Sequence, residues 1–436
     1  MRVLFLEIDT EGEWAVASIG PAFLGAYLRA NGHEADLLRV ALDDTPAEIL
    51  EDVRERGADI IGLSLTTRQW LRGRQVVADL RRDLDLPVVA GGLHPTFSPE
   101  EVLGCDGFDF VCLGEGEAAL LDLVNALAEG APDRQIANIW RRGGTRPILR
   151  NPIEPLDSLP HLARDLLDEP TGVIHMTTQR GCPFPCTYCA ARMYNQLYAS
   201  TAEYGRRRTH QSVLDELFSL QDQLHYVIFL DDTFTINHGW VKEFCRVYGE
   251  ELRVPFSLHA RVETVNPKLI EMLAAAGCHQ ITYGVESGSP RFRREVLRRH
   301  ATNERFADVF RWTRDAGIIV TANYMLGMPD ETPDDVEQTL ALAEALPVTD
   351  FGYFVFYPYP GTQLFKVCRE RGYLPDDYLE RPANHRETIL ELPTLSQAQI
   401  ANYYDLFTEL RGDLALERGG YASGSADHVH RRAERG

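Results

Sequence analysis

The stretch Arg180-Gly-Cys-Pro-Phe-Pro-Cys-Thr-Tyr-Cys-Ala190 places Cys182, Cys186 and Cys189 at the spacing C-x3-C-x2-C. Three thiolates this close together can bind three irons of a [4Fe–4S] cube, which leaves the fourth iron without a protein ligand. A small molecule can bind that open iron and receive an electron from the cluster. The alternative is a structural zinc site, but such a site normally has four protein ligands. No fourth Cys or His follows at the required spacing.

The bulk composition excludes several classes of protein. The formal net charge is −21, which argues against binding to the phosphate backbone of nucleic acid. No apolar run reaches the ~20 residues needed to span a bilayer, and Met1–Asp9 becomes acidic too soon for a signal peptide. The eight cysteines lack the spacing of a secreted disulfide scaffold. We therefore expect a cytoplasmic protein with no nucleic-acid partner and no membrane span.

The first part of the chain, residues 1–145, alternates apolar strands with amphipathic helices. The strands are apolar throughout, as in a parallel sheet that is covered on both faces. This pattern predicts an α/β fold that begins with a doubly wound, Rossmann-like domain. Its five predicted strands are Val3–Ile8, Ala35–Val40, Asp59–Leu65, Pro87–Ala90 and Phe108–Leu113.

The alternation restarts in residues 173–372, after a linker at residues 146–172 that is rich in Pro, Asp and Leu. Six β/α units fall short of the eight in a closed barrel, so we expect a partial (β/α)6 barrel that is open on one side. Residues 373–418 predict a small helical C-terminal region, and residues 419–436 have a disorder-like composition. The predicted barrel strands are Val173–Thr178, Tyr226–Leu230, Phe256–Ala260, Gln280–Val285, Ile318–Met325 and Phe351–Phe356.

The cysteine spacing resembles the signature of radical S-adenosylmethionine (SAM) enzymes, in which SAM fills the open iron site. Tyr188 matches the aromatic residue usual before the third cysteine. Over roughly residues 1–410 the chain is similar to radical SAM enzymes with an N-terminal cobalamin-binding domain. That group includes anaerobic magnesium-protoporphyrin ester cyclases and many natural-product methyltransferases. The motifs that carry the resemblance are Gly91-Gly92-Leu93-His94-Pro95-Thr96, Gly114-Glu115-Gly116-Glu117, Asp231-Asp232-Thr233-Phe234 and Leu326-Gly327-Met328-Pro329.

Two acidic strand ends are candidate SAM contacts. Asp231 and Asp232 end the second barrel strand, on the face that carries the cysteine loop, and could bind the SAM ammonium group or ribose hydroxyls. The alternative is that Asp232 and Thr233 cap the next helix. Glu286 ends the fourth strand and could accept hydrogen bonds from the ribose, while Ser287 could meet the SAM carboxylate. The alternative there is a tight turn with a solvated acid.

The fifth barrel strand supplies two further candidates. Asn323 lies near its end, and Gly327 has no side chain to prevent the approach of an adenine ring. Each strand-end signal is weak alone, but three in order behind the cysteine motif favour a SAM site.

The N-terminal domain carries the candidate cobalamin contacts. Gly91 and Gly92 follow a strand, and ligands of a doubly wound sheet bind outside the strand carboxyl ends, so this turn could admit a nucleotide tail. His94 lies in the same motif and is assigned to the same site. The resemblance places Trp70 near the lower face of the corrin, although Trp70 could equally pack in a helix. The chain lacks the Asp-x-His-x-x-Gly element, so any cobalamin is expected to bind without an axial histidine.

The resemblance implies an enzyme in which the reduced cluster cleaves SAM to a 5′-deoxyadenosyl radical that takes hydrogen from an unactivated carbon. With cobalamin, the simplest outcome is methylation of a small-molecule natural-product substrate. An external low-potential electron donor of the flavodoxin or ferredoxin type is also implied. Two alternatives stay open. One is a radical dehydration, deoxygenation, cyclisation or rearrangement with the N-terminal domain as a scaffold, and the other is a non-catalytic Fe–S or corrinoid carrier protein.

Overall fold

A computed structural model of the chain describes residues 1–10, 19–167, 172–199 and 205–418. The tail at residues 419–436, for which the composition predicts disorder, lies outside the described residues. Among the helices that are described, none combines the length and the apolar character needed to cross a membrane.

The described part of the first 145 residues forms one sheet flanked by helices. Its strands are β1 (Arg2–Ile8), β2 (Glu34–Val40), β3 (Ile60–Ser64), β4 (Val88–Gly91), β5 (Phe110–Cys112) and β6 (Ile139–Arg141). Its helices are α1 (Ile19–Ala30), α2 (Pro46–Glu55), α3 (Thr67–Leu80), α4 (Leu93–Phe97), α5 (Pro99–Gly104) and α6 (Glu117–Ala128).

The spatial order of these strands is β2-β1-β3-β4-β5-β6, with the first five parallel and β6 antiparallel to β5. The chain passes from β1 to β2 on one side of β1 and then crosses to β3 on its other side. The carboxyl ends of β1 and β3 therefore form the switch point where open α/β sheets bind ligands. Apolar side chains pack into separate cores on the two faces. The predicted doubly wound domain is confirmed. The sequence does not predict β6, because a three-residue edge strand is too short to show periodicity.

The second sheet is built from six parallel strands, and a two-stranded ribbon lies beside it. The six strands of the sheet are β7 (Val173–Met176), β10 (Tyr226–Phe229), β11 (Phe256–Ala260), β12 (Cys278–Glu286), β13 (Ile319–Leu326) and β14 (Asp350–Val355). The ribbon consists of β8 (Gln179–Arg180) and β9 (Arg206–Arg207). The helices that follow these strands are α7 (Ala190–Tyr198), α8 (His210–Phe218), α9 (His238–Glu251), α10 (Pro267–Ala275), α11 (Pro290–Glu295), α12 (Asn303–Asp315) and α13 (Pro333–Ala345).

The strand order β14-β13-β12-β11-β10-β7 leaves β7 and β14 as unpaired edges, so the predicted partial barrel is confirmed. Along β13, Ala322, Tyr324 and Leu326 are buried in the core under the helices, and the residues between them are only half-buried. Those intervening side chains face the inside of the open barrel. Side-chain N-caps fix where several strand-to-helix loops end. They are Thr209, Asn237, Asn266, Ser289, Thr302 and Thr332.

The helical C-terminal region consists of α14 (Gln363–Glu370) and α15 (Gln397–Arg418). Helix α15 packs on β14, where Arg411 donates two hydrogen bonds of 2.6 and 2.7 Å to the Asp350 carboxylate. Phe407 is fully buried against Tyr324 and Phe351. The helix therefore covers one unpaired edge of the barrel sheet, which would otherwise be open to pairing with another chain.

Candidate active site

The cysteine loop runs from β8 to α7 at the carboxyl end of β7. Cys182 and Cys186 are buried, Cys189 is half-buried, and all three are free thiols. Burial raises the pKa of Cys189 to about 12, so a thiolate here requires a bound metal or a neighbouring cation. In the part of the chain that the structure describes, no three His, Cys, Asp or Glu side chains converge as a single metal ion requires. The loop thus suits thiolates that bind separate irons better than a zinc ion.

Two buried arginines converge on the middle cysteine. Nη1 of Arg261 donates to Sγ of Cys186 at 3.0 Å, and Nη1 of Arg299 lies 3.8 Å from the same sulfur. The Arg261 guanidinium also lies over the ring of Phe184, with 4.0 Å between its central carbon and the ring centroid. Both guanidinium groups therefore direct positive charge at the Cys186 sulfur. The sequence analysis missed both, although Arg261 directly follows β11, where functional side chains of a barrel collect.

Arg261 leads to a first prediction. The Arg261→Gln protein should have a cluster reduction potential that is lower by on the order of 50 mV, because loss of a cation beside a ligand sulfur destabilises the more negative, reduced cluster. A redox titration followed by electron paramagnetic resonance measures this. Arg305→Gln is the control, since Arg305 donates to the backbone oxygens of Val262 and Val265 rather than to a cysteine. Equal potentials in all three proteins would contradict the role of Arg261.

Asp231 and Asp232 have different environments. Asp231 is buried and accepts hydrogen bonds from the backbone amides of Thr178 and Gln179 at 2.9 and 2.7 Å, and burial raises its pKa to about 6. It therefore holds the end of β7 in place, and the assignment of Asp231 as a SAM contact is corrected. Asp232 is exposed, and its charge raises the pKa of Cys189 after the larger effect of burial. Its carboxylate has no hydrogen-bond partner among the described residues.

Neither Asp232 nor Thr233 makes a side-chain cap: Thr233 lies at the N-cap position of a short 3-10 turn, Phe234–Ile236, without a side-chain capping bond. The side chain of Asn237 caps α9 by accepting from the amide of Trp240 at 3.0 Å. Thr233 instead lies beside the cysteine loop, with Oγ1 3.7 Å from Sγ of Cys182.

Glu286 ends β12 in a strained conformation. Its φ is +69°, and the pairing of β12 with β13 shifts register between Gly284 and Glu286. A left-handed glutamate costs of order 1–3 kcal/mol, and such strain clusters at functional sites. The carboxylate lies 3.7 Å from Arg299, which also donates to the Tyr188 hydroxyl at 3.1 Å. Glu286 is thus linked to Tyr188 in the cysteine loop through Arg299.

Ser287 is not part of this group. Its side chain is fully buried, and Oγ lies 3.2 Å from Oγ1 of Thr339 on α13 and accepts from the amide of Ser289 at 3.2 Å. It stabilises the turn after β12 against the helix layer. The assignment of Ser287 to the SAM carboxylate is therefore corrected.

Asn323 and Gly327 also differ from each other. Asn323 is half-buried and pairs in register with Gly284 of β12 and Gly352 of β14, on the inner face of the barrel. The amide of Gly327 donates to Oε2 of Glu331 at 2.6 Å, and a Cβ on Gly327 would lie 3.1 Å from Ile400 of α15. Gly327 therefore packs against the C-terminal helix on one side, and its assignment to an adenine contact stays a prediction.

A cavity of about 470 Å³ lies at the switch point of the N-terminal sheet. Its walls are largely apolar, and six glycines of α1, β3, β4 and the loops after β4 and β5 widen it. They are Gly20, Gly62, Gly91, Gly92, Gly114 and Gly116. The far wall is formed by Gln179, Arg180 and Tyr194, which flank the cysteine loop. A cavity of this size and shape fits the tail of a large cofactor, as the Gly91-Gly92 turn predicts.

Comparison with known proteins decides the family. The radical SAM superfamily model matches residues 176–343, and the B12 binding domain model matches residues 13–124. An uncharacterised methyltransferase of Pyrococcus horikoshii is 30% identical over 394 residues, which cover 84% of this chain and 83% of that protein. The chain belongs to the B12-binding radical SAM enzymes. The predicted family is therefore confirmed, as is its cofactor set of a [4Fe–4S] cluster, SAM and cobalamin.

Two other matches support this assignment. The anaerobic magnesium-protoporphyrin IX monomethyl ester cyclase of Rubrivivax gelatinosus is 26% identical over 401 residues, which cover 85% of this chain and 70% of that protein. The structure of the radical SAM methyltransferase TsrM of Kitasatospora setae superposes with a TM-score of 0.71 at 19% identity, covering 98% of this chain and 90% of that one. The match to TsrM shows that this chain and TsrM share a fold.

Within this B12-binding radical SAM enzyme, two predicted cobalamin contacts are misplaced. Trp70 is 1% exposed and stacks on His94 with 4.8 Å between ring centroids, inside the core on one face of the sheet. Neither residue lines the cavity. The alternative that Trp70 packs in a helix is therefore the one that the structure supports, and His94 is corrected with it.

The two parts of the radical SAM enzyme are joined by buried ion pairs at the cavity wall. Arg180 lies 3.1 Å from Glu115 and also pairs with Glu117, while Arg206 of β9 pairs with Glu115. Burial opposes ionisation of Glu115, but the two arginines hold its pKa below the usual value. Arg180 lies two residues before Cys182. The Gly-Glu-Gly-Glu motif of the N-terminal sheet therefore positions the start of the cysteine loop.

Proposed function

We propose that this enzyme methylates an unactivated carbon of a small molecule of the natural-product kind. The observation that carries the proposal is the shared wall between the two cofactor regions. Arg180 lines the cavity of the N-terminal sheet and immediately precedes the cysteine loop. A group bound over the switch point therefore lies next to the cysteine loop, as a reaction that uses both cofactors requires. The name of the Pyrococcus horikoshii relative points to the same reaction class.

We assign each cofactor to residues of this chain. Cys182, Cys186 and Cys189 bind the irons of the cluster, and the glycine-lined cavity receives the tail of cobalamin. Asp232 and Glu286 bind the polar groups of SAM. When bound, the cluster and SAM supply a carbon-centred radical and cobalamin supplies a methyl group.

The protein's own contribution is to orient these groups and to balance charge. Arg261 and Arg299 place two buried positive charges beside Cys186, which offsets the charge of three thiolates. Arg299 also holds Tyr188 and Glu286 in fixed positions. Glu286 is thereby preorganised for a ligand, so little free energy is lost in ordering it when SAM binds.

The proposed SAM contacts lead to a second prediction. Asp232→Asn and Glu286→Gln should each raise the Kd for SAM about ten- to a hundredfold, because a charge-assisted hydrogen bond is worth roughly 1.5–3 kcal/mol. Equilibrium binding to the cluster-loaded protein measures the Kd, and the cluster spectrum should stay unchanged. Asp308→Asn removes an exposed acid on α12 and is the control. Unchanged SAM affinity in both variants would remove these acids from the site.

The proposed reaction is tested by anaerobic turnover with the cluster and hydroxocobalamin loaded. Candidate small molecules are supplied with SAM and a strong reductant, and product mass is read together with 5′-deoxyadenosine. A mass gain of one methylene that depends on cobalamin supports methylation. Product without added mass would replace it with the cyclisation or rearrangement alternative. Failure to form 5′-deoxyadenosine with any substrate would favour the carrier alternative.

A further inference from the structure

Three side-chain cations form a basic patch around the cysteine loop: Arg192, Arg298 and Lys366. Arg298 and Lys366 are exposed and Arg192 is half-buried. None of the three makes an ion pair with any residue that the structure describes. No paired carboxylate therefore offsets their charges, in a chain with 65 acidic and 44 basic residues.

Arg192 is tied to the cysteine loop by hydrogen bonds, and α14, which carries Lys366, is joined to the loop by a backbone hydrogen bond of 3.1 Å from the amide of Leu364 to the oxygen of Thr187. Nη1 of Arg192 donates to the backbone oxygen of Pro185 at 3.0 Å and to Oε1 of Gln363 at 2.8 Å. Pro185 immediately precedes Cys186, and the charge of that cysteine acts on Arg192. Lys366 lies one helical turn after Gln363 on α14, where residues three apart are neighbours.

Arg298 approaches the same loop from another direction. Thr187 follows Cys186, and its Oγ1 donates to the backbone oxygen of Val296 at 2.8 Å. Arg298 lies two residues beyond Val296, with a φ of +56° that turns the chain and leaves its side chain exposed. Burial lowers the pKa of Arg192, and repulsion from Arg298 lowers it further.

We propose that the basic patch is the docking surface for an acidic one-electron carrier protein that reduces the cluster. Cys182 and Cys186 are buried, so the carrier must dock close to the cysteine loop. Arg192 donates to the backbone of Pro185, and Thr187 donates to the segment that carries Arg298, so the patch adjoins residues 185–187. The net charge of −21 repels an acidic carrier from the rest of the surface. Local positive charge would therefore both steer and orient the encounter. This inference rests on the proposed function only through the presence of the cluster.

The probe is a purified flavodoxin in its hydroquinone state, mixed anaerobically with cluster-loaded enzyme. One electron passes from the flavin hydroquinone to the oxidised cluster, and no covalent bond forms or breaks. In the double variant Arg298→Asp with Lys366→Glu, the second-order rate of cluster reduction should fall about tenfold or more at low salt. The difference should shrink as salt screens the charges. Aspartate is chosen at position 298 because it tolerates a positive φ.

A matched control separates docking from net charge. Arg54→Glu with Lys242→Glu makes the same charge change on two exposed cations of α2 and α9 that form no ion pair with any described residue, and its rate should equal that of the wild type. Reduction by dithionite, which needs no docking, should be equal in all three proteins. Equal rates with flavodoxin, an equal fall in the control, or an equal fall with dithionite would each overturn the docking surface. A wild-type protein with no reducible cluster would instead overturn the proposed function.

Discussion

Replacing Cys186 by alanine is expected to abolish SAM cleavage and to remove most of the bound iron. Its sulfur is the proposed ligand of one iron, and the other two cysteines of the loop, Cys182 and Cys189, are proposed to bind irons of their own and so cannot replace it. The change also leaves Arg261 and Arg299 beside a methyl group, so two buried cations lose an acceptor. Iron analysis and the yield of 5′-deoxyadenosine after anaerobic reconstitution measure the effect.

A cysteine in the core serves as the control for this result. Cys245 is buried in α9, away from the loop, so Cys245→Ala should cost some stability but keep the full iron content. Cys182→Ala and Cys189→Ala should behave like Cys186→Ala. A Cys186→Ala protein that still carries the full cluster and still forms 5′-deoxyadenosine would contradict the assignment of the cluster to this loop.

The second large effect is expected at the cavity. A Cβ on Gly91 would lie 3.5 Å from that of Cys112, an ordinary contact, so a larger side chain can enter the cavity without disrupting the sheet. Gly91→Val should therefore fold and weaken cobalamin binding at least about a hundredfold, since a valine occupies space that the cofactor tail needs. Titration with hydroxocobalamin, followed by absorbance, measures the affinity. The cluster should load normally.

Gly92 is unsuitable for this test. Its φ is +90°, and a Cβ there would lie 2.8 Å from the backbone nitrogen of Leu65, so Gly92→Val would distort the sheet whether or not a cofactor binds. Gly104→Val is the better control, because Gly104 ends α5 on the surface with no atom within 4 Å of a Cβ. Gly91→Val protein that binds cobalamin as tightly as the Gly104→Val protein would exclude this cavity as the cofactor site.

The buried ion pairs at Glu115 give the two cofactor regions a structural connection. Glu115 accepts from the backbone amide of Ile153 at 3.0 Å and pairs with Arg180 and Arg206, so one carboxylate holds the linker, the cysteine loop and β9. Breaking a buried pair from one side leaves an uncompensated charge and is strongly destabilising. These buried ion pairs therefore fix the distance between the cavity and the cysteine loop, and we expect ligand binding to leave that distance unchanged.

The sequence by itself determined the architecture, and it predicts the cluster ligands. Continuous apolar runs predict buried parallel strands, and all five Rossmann strands and all six barrel strands are found within about two residues of their predicted positions. The cysteine motif and the Gly91-Gly92 turn are local in sequence, so their spacing alone indicates their chemistry. Such features depend on neighbours within a few residues, which a single sequence displays.

Only the tertiary structure decided which polar strand-end residues face a ligand. Asp231 and Asp232 are adjacent in sequence, but one is buried under the end of β7 and the other is exposed beside the cysteines. Ser287 contacts Thr339 of α13, and Gly327 packs against Ile400 of α15. Trp70 lies in the core of the N-terminal sheet. Arg261 and Arg299 reach Cys186 from positions 75 and 113 residues away. Contacts between residues so far apart depend on how the layers pack, which local pattern and spacing do not encode.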